Sequence, residues 1–389
     1  MNEDTKILKL PLSIQSFEEI RNGGYVYVDK TDYVWKIANG KKFNFLGRPR
    51  RFGKSLFADT MRCYFEGRQD LFENLKIMDL EHTLEHEWVK RQVFEFNFGG
   101  FETAEALYDH ISGKITEYEE IYGKSVYKNL KDRFKSLMEK AFTATGHHVA
   151  VIVDEYDAPL QHTLFKKEEH EKLILIYRSF FPALKDCEKY LKCLFLTGVT
   201  KFTSLSLFTT LNTVSILGYL PEYSKALGLT GQEILDNFQF QLEEMAEQQG
   251  TTVSQLLANM KAMYDGYHFS EDTTQEVYNP FSVINALSDK KIINYWAASG
   301  ASKLLSDILK RDDLSGVDFD NCSLDEDELQ LDDVSIDNSL LILYQAGYLT
   351  IKSHNKKLEL YELCIPNKEV RNTLYTEKRG ISGYDIVER

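Results

Sequence analysis

The run Val149-Ala150-Val151-Ile152-Val153 constrains this 389-residue chain more than any other segment. All five side chains are apolar, so neither face of a strand built from them can rest in water. A strand dry on both faces belongs to the middle of a parallel sheet with helices above and below it. Asp154-Glu155-Tyr156-Asp157 follows at once. Carboxylates at the end of a dry strand are costly unless a cation or ligand lies close. One segment therefore predicts both a fold class and a charged site.

The rest of the first half agrees. Apolar segments at Phe43 to Leu46, Val93 to Phe98, Lys192 to Thr197 and Thr213 to Leu217 alternate with longer helical stretches. Strands alternating with helices predict an α/β fold with a parallel sheet. Past about residue 220 the pattern turns helical, at Glu233 to Gln248, Val253 to Met263 and Phe281 to Leu287. Asn279-Pro280 supplies an N-cap and a first-turn proline for the last of these. The acidic stretch from Asp312 to Asp337 lacks the glycine-centred spacing of a calcium loop and is expected to be a solvated connector. A helix from Ile336 to Tyr344 then precedes two strands, Tyr348 to Lys352 and Leu358 to Leu363, about a turn at His354-Asn355-Lys356. That is a winged-helix-like order. The expected units are 1–220, 221–335 and 336–389.

Charge and composition exclude some classes. The balance of 46 basic and 60 acidic residues, 46 − 60 = −14, argues against whole-surface attraction to nucleic acid or anionic membrane, though a local basic cluster can still act. The longest apolar runs are about five residues, and a membrane helix needs roughly 20. The start, Met1-Asn2-Glu3-Asp4, is acidic where a signal peptide is basic, so a cytoplasmic location is expected. Cys63, Cys187, Cys193, Cys322 and Cys364 show no zinc-ligand spacing and are expected to be reduced, mostly buried thiols.

The chemistry centres on Phe45-Leu46-Gly47-Arg48-Pro49-Arg50-Arg51-Phe52-Gly53-Lys54-Ser55-Leu56. A phosphate-binding loop needs a strand, a tight turn of inward N–H groups, then a lysine and a hydroxyl residue opening a helix. Gly53-Lys54-Ser55 has that setting, with Phe57, Met61 and Tyr64 at helical spacing behind it. The first glycine of the usual pattern should stand at position 48, where this chain has arginine. The nucleotide-binding candidates are Arg48, Pro49, Arg50, Arg51, Phe52, Gly53, Lys54, Ser55 and Leu56. Ser55 and Asp154 are the candidate Mg²⁺ ligands, and Glu155 is the candidate that polarises the attacking water. Thr197, at the end of the fourth strand, is favoured to sense the terminal phosphate, with Thr200 second. Arg178 is a weaker charge-stabilising candidate, read first as a surface residue. Asp157 reads as a cap for the helix begun by Ala158-Pro159.

The chain resembles the bacterial AAA-ATPase-like proteins that often carry a C-terminal PD-(D/E)XK nuclease-like domain. The resemblance runs through Leu10-Pro11-Leu12-Ser13-Ile14-Gln15-Ser16-Phe17, Tyr27-Val28-Asp29-Lys30-Thr31, Arg48 to Ser55, Val153 to Asp157 and Leu196 to Val199. It continues through Tyr264-Asp265-Gly266-Tyr267, Tyr278-Asn279-Pro280-Phe281, Asn294-Tyr295-Trp296 and Ile365-Pro366-Asn367. That family tends to have Arg-Pro-Arg-Arg before Phe-Gly-Lys-Ser, so the missing glycine looks like a family trait. The resemblance implies an additional-strand P-loop NTPase fold, an αβα sandwich in which the Thr197 strand lies between the P-loop strand and the Asp154 strand. It implies ATP and Mg²⁺ as cofactors, with Lys54 on phosphate, Ser55 and Asp154 on the metal, and Glu155 on water. After Pro366 there is Asp385 but no later (D/E)-x-K, so nuclease activity is not expected of this chain.

Three functions remain open on the sequence. The first is an ATP-binding switch or weak ATPase coupled to a C-terminal effector, with a protein partner or self-association. The second is a nucleic-acid-binding or nuclease-associated scaffold using Lys352, His354, Lys356 and Lys357 of the wing, which the net charge does not favour. The third is a degenerate, non-hydrolysing adaptor.

Overall fold

The computed structural model describes residues 8–84, 87–201, 214–297, 317–330 and 338–378, and a few positions between 305 and 314. Its central sheet has five strands: β1 (Phe43–Gly47), β2 (Val93–Asn97), β3 (Val149–Asp154), β4 (Leu191–Gly198) and β5 (Ser215–Ile216). They lie in the order β2-β3-β4-β1-β5, and every pair is parallel. The Thr197 strand thus separates the loop-bearing strand from the Asp154 strand. This is the strand order of an additional-strand P-loop NTPase. All six residues of β3 are buried, as the unbroken apolar run requires. Each buried Val or Ile side chain there contributes roughly 1.5–3 kcal/mol.

Among the described residues, eight α-helices accompany this sheet: α1 (Phe17–Gly23), α2 (Thr31–Ala38), α3 (Lys54–Phe65), α4 (Lys76–Glu81), α5 (Ala104–Tyr122), α6 (Leu130–Thr145), α7 (Ala158–Thr163) and α8 (Lys167–Asp186). Alternate residues of a strand face opposite sides. On β2, Phe96 meets Phe134 of α6 and Phe180 of α8, while Glu95 faces Arg62 of α3 at 3.9 Å. Helix α3 therefore covers one face, with α6 and α8 on the other. Phe57 of α3 packs on Phe195 of β4.

The second half begins with helices at Gly231–Gln248, Val253–Tyr264 and Pro280–Asp289. Thr230 and Glu233 form a capping box at the first, and the Asn279 side chain accepts from Phe281 and Ser282 N–H at the third. A helix at Ser339–Ala346 then precedes β7 (Thr350–Asn355) and β8 (Leu360–Cys364). The acidic stretch departs from expectation. Cys322–Asp325 forms β6, which pairs antiparallel with β8 to give the order β6-β8-β7, and Glu326–Gln330 is a short helix. Only Leu324 of β6 is buried, so an edge strand could hide inside a charge run. Thr213 and Ile336, at the edges of two expected elements, fall outside the described residues, as does Asp385.

Two apolar clusters hold the chain. One runs without a break from the central sheet into Trp296, Leu341, Tyr348 and Leu374; the other unites Val26, Leu229, Phe238, Met260 and Val283. No helix among the described residues is long and apolar enough to cross a membrane.

Candidate functional site

The carboxyl ends of β1, β3 and β4 meet at a cleft of about 410 Å³. Arg50, Arg51, Gly53, Lys54, Ser55 and Leu56 line it from the loop, and Glu155, Asp157, Gln161, Gly198 and Val199 from the strands opposite. Residues Pro11, Ser13, Ile14 and Gln15 close one side, and Pro280, Phe281 and Ile284 another. Parallel pairing forces this convergence. Leu46 is in register with Thr197, and Val153 with Leu196, so all three strands end at one level.

The loop turns through two residues of positive φ, Arg51 at 71° and Gly53 at 88°. Glycine is the residue that adopts such a backbone without strain. Helix α3 starts immediately after, with Gly53 as its N-cap and no side chain capping it. Its first N–H groups and the positive end of its dipole are thus left for an anion. The Lys54 ammonium folds back over the loop and donates to the carbonyls of Arg48 (3.0 Å) and Pro49 (2.9 Å). Burial pulls its pKa down to about 8, against the opposing pull of Asp157, Asp154 and Glu155. Its hydrogen bonds go to neutral carbonyls, so a phosphate would give it a charged acceptor.

Asp154, at the end of β3 and next to the cleft residue Glu155, is 4% exposed and does not itself line the cleft. Its Oδ1 accepts from the Thr197 hydroxyl and from Glu155 N–H at 3.1 Å. Glu155 sits at φ 51°, a conformation uncommon for a residue with a side chain, and its N–H also reaches Thr197 Oγ1 at 3.3 Å. Those bonds fix the Glu155 backbone, and Glu155 lines the cleft. Asp157 adds a third carboxylate. It accepts from Val199 N–H (3.0 Å), from Thr200 N–H and from Gln161 Nε2 (2.6 Å). Burial pushes its pKa up to about 6 even though those N–H bonds and Lys54 act the other way. A Cβ on Gly198 would lie 2.4 Å from Asp157 Oδ1, so the Thr197-Gly198 turn must be glycine.

Several expected roles are corrected by these positions. The Arg48 side chain does not join the loop's positive charge. It is 2% exposed, donates to the carbonyls of Gly47 (2.9 Å), Gly218 (2.8 Å) and Tyr223 (2.9 Å), and lies 4.1 Å over the Phe269 ring. Phe52 is likewise a core residue, packed edge-on against Tyr267 and Phe269. Pro49 is buried against Gly347. Thr197 is fully buried and spends its hydroxyl on Asp154, so it positions that carboxylate rather than facing the cleft. Thr200 is buried too, its hydroxyl held by Gln161 at 2.8 Å. Arg178 is exposed on α8.

Sequence reasoning missed Asp157 and Gln161 as cleft residues. Asp157 is the N-cap of α7 and Gln161 lies four residues on, a spacing that brings the two side chains to one side of the helix start and was the available signal. The β7–β8 hairpin, expected as a wing, also differs from expectation. His354 sits 3.2 Å from both Glu271 and Glu326, Lys356 is 3.1 Å from Glu271, and Lys352 donates to Asn321 at 3.0 Å. His354 and Lys356 therefore meet carboxylates, while Lys352 meets a neutral amide. No group of three or more metal-ligating His, Cys, Asp or Glu side chains occurs among the described residues.

Comparison with known proteins places the site in context. A family model described as predicted AAA-ATPase matches residues 11–208, which includes the loop, β3 and the whole of β4. An uncharacterized protein from the vnfD 5′ region of Azotobacter chroococcum mcd 1 is 31% identical over 373 residues, covering 94% of this chain and 69% of that protein. Among solved structures, the ORC2 protein of Aeropyrum pernix, in complexes with ADPNP and ADP, aligns over 97% of both chains at 11% identity with a TM-score of 0.29. The strand order β2-β3-β4-β1-β5, and not that superposition, marks the fold.

Proposed function

The chain belongs to the predicted AAA-ATPase family, and on that premise we propose that it binds ATP with Mg²⁺ and hydrolyses it slowly, as a nucleotide-dependent switch. The observation that carries this reading is the meeting of Lys54, Ser55 and Glu155 along one cleft at the carboxyl edge of the β2-β3-β4-β1-β5 sheet. In this reading the free N–H groups at the start of α3 and the Lys54 ammonium hold the β- and γ-phosphates. Arg50, whose Nη2 is 3.5 Å from Gln161 Oε1, adds charge at the rim.

The donor set fits a hard divalent cation. Ser55 offers a hydroxyl and Asp154 a carboxylate, both hard oxygen donors. When bound, Mg²⁺ supplies charge neutralisation on the phosphate oxygens. Thr197 and Glu155 N–H keep Asp154 oriented. Glu155 accepts a proton from the attacking water.

A second, apolar cavity of about 110 Å³ adjoins the cleft and shares Pro11, Gly53, Leu56, Pro280 and Ile284 with it. Val26, Val28, Leu227 and Phe238 complete its walls, which suits the flat face of a purine. The switch reading has its own support. Pro49 rests on Gly347, and Gln345 Oε1 accepts from Lys201 N–H at 3.3 Å. The loop and the exit of β4 therefore both touch the segment that leads into β7. Phosphate release measured on the wild type and on Glu155→Gln tests the reading. Release by the wild type that falls about 100-fold or more in the variant is expected, with nucleotide still bound. Equal rates in the two proteins would remove Glu155 from the mechanism.

A further inference from the structure

We propose that the amino edge of the central sheet is a binding surface for single-stranded nucleic acid, formed by basic residues at the entry of four adjacent strands and by the rings of Phe142, His148 and Tyr190. Three of those strands are preceded or opened by cations, Lys41-Lys42 at β1, Lys90-Arg91 at β2 and Lys189 with Lys192 at β4, and β3 is preceded by the imidazoles of His147-His148. Because the pairing is parallel, all four entries lie on one edge, in the order β2-β3-β4-β1. With strands about 4.8 Å apart, the row is about 14 Å long.

Most of this row is exposed, and carboxylates match its charge only in part. Lys41, Lys90, His147, His148 and Lys189 are exposed, and Lys42, Arg91 and Lys192 are half-buried. Among the described residues, the ion pair at this edge joins Lys42 to Glu188 at 4.0 Å. Glu81 and Glu139 also lie nearby; they accept from the hydroxyls of Tyr64 and Tyr190 and offset part of the charge on Lys192 and Lys189. After burial, Arg91, Lys42 and Lys192 are what hold the His148 pKa down, so the cations sit close enough to repel one another. In a chain carrying −14 overall, such a concentration calls for an external anion.

Cations alone would serve an acidic peptide equally well. The rings decide between them. Phe142 lies 5.1 Å from His148 and 5.3 Å from Tyr190, and Lys189 stands 4.6 Å over the Tyr190 ring. Half-exposed rings among cations give unpaired bases a stacking surface, which a carboxylate cannot use. This surface lies at the end of the strands opposite the nucleotide cleft. It also differs from the β7–β8 hairpin, where Lys352, His354 and Lys356 already have side-chain partners.

Fluorescence anisotropy with a labelled oligothymidylate tests the inference on the full chain. Contact with about four phosphates gives a log–log salt slope near −3, so affinity should fall about 50-fold between roughly 50 and 200 mM salt. The triple variant Lys41→Glu, Lys90→Glu, Lys189→Glu should lose at least about tenfold in affinity. Lys189→Glu alone should lose less, and Lys356→Glu with Lys357→Glu should bind as the wild type does. Thermal melting and ATP titration on the same samples identify any variant that has not folded. The inference is overturned by absence of binding at low salt, by a folded triple variant that binds normally, or by loss confined to the wing variant. Displacement of the oligonucleotide by polyglutamate at equal charge would overturn it in favour of an acidic peptide.

Discussion

The two edges of one parallel sheet treat charge in opposite ways. At the carboxyl edge, Asp154, Asp157 and Lys54 are buried, and each is held by named donors or acceptors. At the amino edge, Lys41, Lys90 and Lys189 stand in solvent beside other cations. Burial strengthens electrostatics and makes each buried group depend on its partners; exposure leaves charge cheap and weakly coupled. Fixed buried charge suits chemistry on one small ligand. Exposed charge in a row suits an extended one.

Removing a buried partner should therefore cost far more than removing an exposed cation. The largest effect belongs to Asp157→Ala, which leaves Val199 and Thr200 N–H without their acceptor. A loss of about 2–4 kcal/mol in unfolding free energy is expected from denaturant titration. A smaller effect follows from pH. With the Lys54 pKa near 8, the free protein loses that ammonium above this pH, so ATP affinity should be about tenfold weaker at pH 9 than at its plateau. The stability term runs the other way. The unfolded lysine, at 10.5, holds its proton longer than the folded one, so this group's contribution rises with pH between about 8 and 10.5. Calorimetry and thermal melting across that range should show affinity falling while this contribution grows. The smallest effect belongs to the amino edge. Lys41→Gln with Lys90→Gln should leave ATP affinity within about twofold and shift stability by no more than about 0.5 kcal/mol. A larger loss of affinity would mean the edges are coupled.

Much of this architecture was legible in the sequence because strands buried on both faces are written as unbroken apolar runs. The loop was legible because Gly53-Lys54-Ser55 is local. The misread residues share a different cause: their partners are distant in the chain. Arg48 looks like loop charge beside Lys54, but its fate is set by carbonyls 170 and 175 residues away. Asp157 reads as a helix cap, yet its carboxylate reaches N–H groups 42 and 43 residues on. Thr197 looks free at a strand end until β3 brings Asp154 beside it. Strand β6 was hidden by economy: an edge strand needs one inward residue, here Leu324, and charged neighbours disguise it.

The central claim is that the carboxyl edge holds a nucleoside triphosphate through Lys54. Calorimetric titration of Mg²⁺-ATP into the wild type and into Lys54→Ala tests it most directly. The account predicts saturable binding to the wild type and none detectable in a folded Lys54→Ala. Absence of binding in the folded wild type, or equal affinity in the variant, would contradict it.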